Sequence, residues 1–88
     1  MFKVEITKPA MKDLKKLDKP QQKMILLWIS KHLEGCPDPR ALGKPLTANH
    51  RGKWRYRVGD YRILAMIEDD RVKILVLSVG HRREVYRR

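Results

Sequence analysis

The sequence predicts an α+β fold with the element order β-α-α-β-β-β, in which a helical hairpin packs on one face of an antiparallel four-stranded sheet. Apolar residues recur at helical spacing between residues 8 and 34, whereas they alternate with polar residues from residue 53 onward. A short alternating stretch, FKVEI, precedes the helical part and indicates a first strand. Because the 88 residues contain no low-complexity segment and no internal repeat, we expect residues 1–88 to form one domain.

Both predicted helices begin after a residue that can cap a helix. Thr7 can cap the first, with Pro9 tolerated in its first turn. Asp18 can cap the second, and Gly35 is a natural stop. Almost no residues separate the two helices, so we expect an antiparallel hairpin. Their apolar positions are Ala10, Leu14 and Leu17 in the first helix, and Met24, Ile25, Leu27, Trp28, Ile29 and Leu33 in the second.

Three strands are predicted after the helices. CPDPR indicates a turn, and the residues up to about 50 are expected to form a loop. The stretches WRYRV, YRILAMIE and RVKILVLSV then show the alternation typical of strands. Gly59-Asp60 is a favourable two-residue hairpin turn between the first two, and Asp69-Asp70 separates the last two.

The first of these turns determines which side chains share a face. A two-residue loop at Gly59-Asp60 places Arg57 opposite Arg62, so Arg55, Arg57 and Arg62 should lie on one side of the sheet. The other side should receive the helices, and it carries Trp54, Tyr56, Val58, Tyr61, Ile63, Ala65 and Ile67. If Asp69-Asp70 is also a two-residue turn, the arginine side gains Leu75, Leu77 and Val79. An apolar floor beside clustered arginines suits a groove that stacks bases and binds phosphates.

The charge of the chain points to a polyanionic partner. The 21 Lys and Arg residues exceed the 10 Asp and Glu residues, which gives a net charge of +11. Nucleic acid, a membrane surface or an acidic protein would each fit, as would a basic surface that serves solubility alone. Nine of the ten arginines lie at Arg51 or later. Since arginine can contact a phosphate at two points, the second half of the chain is predicted to carry the binding site for the anionic partner.

Several classes of function are disfavoured. The three histidines, His32, His50 and His81, have no metal-ligand spacing, and with one cysteine, Cys36, no metal or other cofactor is expected. No glycine-rich phosphate loop follows a strand. The longest apolar run is too short to cross a membrane and no secretory signal is evident, so we expect a cytoplasmic protein.

Metal-free cleavage of RNA remains open. The ribose 2′-hydroxyl attacks the adjacent phosphate, so the protein must orient the strand, move two protons and stabilise a dianionic phosphorane. Arginines can stabilise the charge. The final stretch, SVGHRREVYRR, adds His81 and Tyr86 beside four further arginines, and a histidine titrates near neutral pH.

WRYRVGDYRIL followed by SVGHRREVY resembles the RelE/ParE superfamily of bacterial and archaeal type II toxins, and specifically its RelE branch. The resemblance implies a ribosome-dependent mRNA endonuclease that leaves a 2′,3′-cyclic phosphate. It also implies a cognate antitoxin that wraps the toxin, which we expect to be acidic and partly disordered. The free toxin is expected to be monomeric.

The resemblance also assigns roles to individual residues. Arg62 matches an arginine that stabilises the transition state, and Arg82 one proposed to protonate the leaving oxygen. Tyr86 matches a tyrosine that stacks on the substrate base. Arg55 and Arg57 stand where the best-known members carry two lysines, one of them implicated as the general base.

The two arginines in place of lysines leave the general base unassigned, because an arginine effectively cannot lose its proton. Arg55 and Arg57 are therefore predicted to bind phosphate, together with Lys53 and Arg83. We assign one proton transfer to His81 as a hypothesis, the alternative being an exposed phosphate contact. Two other functions stay open: a ParE-like inhibitor of DNA gyrase, and a non-catalytic module that binds RNA or the ribosome.

Overall fold

The computed structural model describes residues 1–46 and 52–81. Within these residues the chain forms two helices and five strands: β1 (Lys3–Ile6), α1 (Lys8–Lys15), α2 (Lys19–Trp28), β2 (Lys44–Pro45), β3 (Lys53–Val58), β4 (Tyr61–Glu68) and β5 (Lys73–His81). A π-helical turn, Ile29–Leu33, extends α2. The predicted α+β class with a helix pair is confirmed.

The start of α1 follows from its sequence. The Thr7 hydroxyl accepts a hydrogen bond from the Ala10 N–H at 3.4 Å and donates one to the Val76 carbonyl at 2.7 Å. Thr7 thus caps the helix and ties it to β5 at the same time. Asp18 occupies the capping position of α2, but its side chain makes no capping hydrogen bond.

The sheet differs from the predicted one in its number of strands and in the direction of one strand. It has five strands in the order β1-β5-β4-β3-β2 rather than four, and β1 runs parallel to β5. The other neighbours are antiparallel. The helix pair between β1 and the later strands is a long connection, which allows parallel pairing.

The register of the β3–β4 hairpin is the predicted one. Val58 pairs with Tyr61 and Arg57 with Arg62 across the Gly59-Asp60 turn. Gly59 has a φ of +60°, which suits the first central position of a type II′ turn. The three arginines therefore share a face, as the turn predicts.

The pairing of β4 with β5 corrects a second expectation. The connecting loop is longer than two residues, since Glu68 pairs with Lys73. A bulge in β5 then changes the register, so that Leu64 pairs with Ser78 while Ala65 pairs with Val76. One extra residue turns the following side chains to the opposite face. Leu75 lies on the arginine side as predicted, but Val79 pairs with Ile63 and is buried in the core.

One hydrophobic core joins both helices to the other face of the sheet. Its buried members are Ala10, Leu14, Ile25, Ile29, Leu33, Tyr56, Val58, Ile63, Ala65, Ile74, Val76 and Val79. Trp28, expected in the core, is partly buried against this cluster, with its ring 5.8 Å from that of Tyr56. The arginine side of the sheet is left facing away from the helices.

Within residues 1–46 and 52–81, no helix is long and apolar enough to cross a membrane.

Candidate functional site

A basic cleft of about 340 Å³ lies on the arginine side of the sheet. One wall is the segment that leads into β2, and the floor is formed by β3 and β4. The lining residues are Ala41, Leu42, Gly43, Lys44, Arg55, Tyr56, Arg57 and Arg62. We refer to this cavity as the arginine cleft.

The three arginines of the cleft are held close together by strand pairing. Arg57 lies directly opposite Arg62, and Arg55 lies two residues before Arg57 on the same face. Arg62 and Arg55 are half-buried, whereas Arg57 is exposed. Like charges opposed across a sheet are destabilising. An anion bound between them would remove that repulsion, so the cleft has the electrostatics of a phosphate site.

Apolar and small side chains lie next to the arginines. Leu64 pairs with both Arg55 and Ser78 and is only 4% exposed, and Ser78 is equally buried. Met66 pairs with Leu75 further along, and both are half-buried. The predicted apolar floor is therefore present, with Leu64 in place of Val79 near the arginines.

The wall of the cleft is anchored from two sides. The Tyr56 hydroxyl, fully buried, donates a hydrogen bond of 2.7 Å to the Pro39 carbonyl, and burial raises the pKa of this phenol. Arg40 donates two hydrogen bonds of 2.8 Å to the Asp69 carboxylate and lies 5.9 Å from the centre of the Trp54 ring. The hydrogen bond from Arg40 lowers the pKa of Asp69. This stabilising effect is present at neutral pH and is lost as the pH falls through the lowered pKa.

We expect Tyr56→Phe to lower the free energy of unfolding by roughly 0.5–1.5 kcal/mol, because the buried Pro39 carbonyl loses its donor. Thermal or urea unfolding measures the change. Tyr61→Phe is the matched control, since the Tyr61 side chain is only half-buried, and it should stay within about 0.5 kcal/mol of the wild type. Equal stability of Tyr56→Phe and wild type would show that this bond does not hold the wall.

Lys44 is a cleft residue that the sequence interpretation missed. It pairs with Arg55 and so points to the arginine side of the sheet. The strand that carries it has two residues and includes Pro45, a composition confined to sheet edges and hard to distinguish from a loop. The available signal was a lysine beside a glycine, which alone does not indicate a strand.

His81 is not placed with the arginines. It pairs with Tyr61, and the two rings lie edge to face with their centres 6.1 Å apart. The neighbouring pair is Gly80 with Arg62, so the His81 ring lies on the opposite face from the Arg62 side chain. The structure brings Arg55, Arg57 and Arg62 together but leaves His81 outside their cleft.

The remaining predicted site residues divide into two groups. Lys53 lies on β3 on the same face as Arg55, but it does not line the cleft. Arg82, Arg83 and Tyr86 lie outside the described residues. Among residues 1–46 and 52–81, no group of three or more His, Cys, Asp or Glu side chains is arranged to hold a metal ion.

Comparison with known proteins places this fold among toxins. The toxin–antitoxin complex RelBE2 of Mycobacterium tuberculosis contains a chain that superposes with a TM-score of 0.84 at 30% identity, covering 94% of this chain and 93% of that one. A family model described as the ParE toxin of the type II toxin–antitoxin system parDE matches residues 4–86. The chain therefore belongs to this toxin family.

Two curated relatives are toxins of Mycobacterium tuberculosis. Toxin RelG is 35% identical over 89 residues, covering 99% of this chain and 98% of the relative. Toxin RelE is 29% identical over 86 residues, covering 98% of this chain and 87% of the relative. The resemblance inferred from WRYRVGDYRIL and SVGHRREVY is thus confirmed at the level of the RelE-type toxins.

Proposed function

We propose that this toxin is a metal-independent endoribonuclease that cleaves mRNA in the decoding site of the ribosome by attack of the 2′-hydroxyl on the adjacent phosphate. The observation that carries the proposal is the arginine cleft, where three arginines from two paired strands meet beside an apolar floor. Such a site can bind a phosphate and stabilise the charge that develops as the 2′-oxygen attacks.

The cleft residues have different roles in this proposal. Arg62 is half-buried near the turn of the hairpin and stabilises the phosphorane, whereas Arg55 and the exposed Arg57 bind the substrate backbone. Lys53, at the start of β3, extends the basic track along the RNA. Arg83 lies outside the described residues and keeps its predicted role in binding phosphate. Arg82 and Tyr86 keep the roles that the resemblance implies: Arg82 acts at the leaving oxygen, and Tyr86 stacks on the nucleobase of the substrate.

The test is the chemistry of the product. Purified toxin is added to ribosomes translating a defined mRNA, and the 3′ ends are mapped and tested for a 2′,3′-cyclic phosphate. Cleavage that needs the ribosome and leaves the cyclic end supports the proposal. Intact mRNA in the presence of a toxin that arrests growth would contradict it.

A cognate antitoxin is the proposed protein partner. Similar chains are found in toxin–antitoxin complexes, among them RelBE2 of Mycobacterium tuberculosis. The net charge of +11 favours an acidic antitoxin segment that folds as it binds. We further propose that residues 1–88 act as one domain, monomeric when free, in the cytoplasm where ribosomes are available.

We assign one proton transfer to His81, so His81→Gln is expected to slow cleavage by roughly 100-fold. Because its ring lies on the Tyr61 side, this transfer requires the substrate to pass around the end of β5. Single-turnover cleavage of ribosome-bound mRNA provides the measurement. Tyr61→Phe keeps the ring contact and should cleave normally. A His81→Gln rate equal to wild type would leave His81 a packing role against Tyr61.

Inhibition of DNA gyrase is the second candidate function, because the family model that matches this chain is described as the ParE toxin. A non-catalytic RNA-binding module would use the same cleft without a reaction. The two can be separated from the nuclease by assay. Gyrase-dependent DNA damage with intact mRNA would favour the first, and ribosome binding with neither effect would favour the second.

A further inference from the structure

The arginine cleft needs a side chain that can exchange a proton. Attack by a 2′-hydroxyl requires a base to take its proton as the new bond to phosphorus forms. Arg55, Arg57 and Arg62 cannot serve, because the guanidinium group stays protonated in proteins. His81 lies on the other face of the sheet.

Lys44 is the described cleft residue that can carry a proton to or from a substrate. It lines the same cavity as the three arginines and pairs with Arg55 across the β2–β3 ladder. Unlike a guanidinium group, a lysine amine can lose its proton and then act as a base. Among the described residues, the charged groups that line the cleft with Lys44 are Arg55 and Arg57 on β3 and Arg62 on β4.

The backbone around Lys44 is held against β3 on both sides. On one side, Gly43 lies so close to β3 that an added Cβ would stand 2.7 Å from the Cδ1 and Nε1 atoms of Trp54 and would overlap the Arg55 carbonyl oxygen. On the other side, the Leu46 N–H donates a hydrogen bond of 3.1 Å to the Lys53 carbonyl. Lys44 is thus fixed at one register position opposite Arg55, although its own side chain is exposed.

We propose that Lys44 is the general base of the arginine cleft, an assignment that rests on the nuclease function proposed above. The neutral amine takes the proton of the 2′-hydroxyl while the 2′-oxygen bonds to phosphorus. The bond from phosphorus to the 5′-oxygen of the next nucleotide breaks, and that oxygen takes a proton from water. The products are a 2′,3′-cyclic phosphate, a 5′-hydroxyl and a Lys44 ammonium ion that later returns its proton to water.

The decisive variant is Lys44→Arg, which keeps the positive charge but cannot accept the proton. It is compared with Lys44→Ala and wild type in single-turnover cleavage of ribosome-bound mRNA between about pH 6 and 9.5, and in ribosome binding. We expect both variants to lose roughly 100-fold or more in rate, and the wild-type increase in rate with pH to disappear in both. Lys44→Arg should still bind ribosomes like wild type.

Lys31→Arg, on the π-helical turn away from the cleft, is the control and should cleave like wild type. Lys53→Arg, on β3, tests the other lysine on the arginine side of the sheet. Wild-type cleavage by Lys44→Arg would overturn the inference, leaving Lys44 as a fixed charge if Lys44→Ala is slow. Loss of rate in Lys53→Arg alone would move the base to Lys53. If the wild-type toxin itself fails to cleave while it arrests growth, the nuclease function falls and this inference with it.

Discussion

Replacing Arg62 with alanine should reduce ribosome-dependent cleavage by about 100- to 1000-fold, the usual cost of removing one fixed donor to a developing oxyanion. Arg62 is half-buried, lies in the cleft and is fixed in place by its pairing with Arg57 and Gly80. The free energy of unfolding should stay within roughly 1 kcal/mol of the wild type, because loss of a like-charge opposition offsets the side chain's other contacts. Growth arrest on expression and single-turnover cleavage measure the first effect, and urea unfolding the second.

Two other arginine-to-alanine variants serve as comparisons for Arg62→Ala. Arg71→Ala removes an exposed arginine at the β4–β5 loop, where it pairs with Glu68, and should leave cleavage unchanged. Arg57→Ala removes an exposed cleft arginine and should weaken substrate binding more than it slows the chemical step. If Arg62→Ala and Arg71→Ala cleave equally well, the cleft is not the reaction site.

The hairpin that carries the arginines was predictable residue by residue because its register depends on local information. Gly59-Asp60 fixes a two-residue turn, and the alternation of WRYRV and YRILAMIE then determines which residues face each other. Pairing of Arg57 with Arg62 followed directly. The family resemblance, which was also confirmed, depended on local information too, because each of its two motifs is continuous in the sequence.

The elements that were wrong or missing depend on contacts between distant parts of the chain. The parallel pairing of β1 with β5 brings together residues about 70 positions apart, and no turn constrains the direction. The bulge in β5 moved Val79 into the core, where it packs with Ile63. Its buried N–H donates a 3.0 Å hydrogen bond to the Asp13 carboxylate on α1, so a tertiary contact supports the changed register.

The site shows the same division. The three arginines were predicted because they lie on one local hairpin, whereas Lys44 enters the cleft through a two-residue strand whose connection to β3 carries no tight-turn signal that would fix the register. That pairing brings Gly43 close to β3, an approach that no pattern of hydrophobicity reveals. The assignment of a proton transfer to His81 did not anticipate the bulge, which turns the side chains of the residues after Leu77 to the opposite face of the sheet.

Gly43→Ala tests whether this close approach places Lys44. The new methyl group would overlap the Arg55 carbonyl oxygen and stand 2.7 Å from the Trp54 ring, so β2 has to move away from β3. We expect the free energy of unfolding to fall by about 1–3 kcal/mol, as for overpacked interiors. Thermal unfolding should show this as a lower Tm, by about 4–8 °C for each kcal/mol in a chain of this size.

The same variant should also slow cleavage to the level of Lys44→Ala, because the displaced strand carries Lys44 away from Arg55. Leu42→Ala is the control for stability: it changes an exposed side chain of the same wall without adding an atom against β3, and the free energy of unfolding should remain close to wild type. A Gly43→Ala toxin that is destabilised yet cleaves normally would separate the packing of β2 from catalysis. Since Lys44 would then act equally well from a displaced strand, that outcome would also contradict its role as a fixed base.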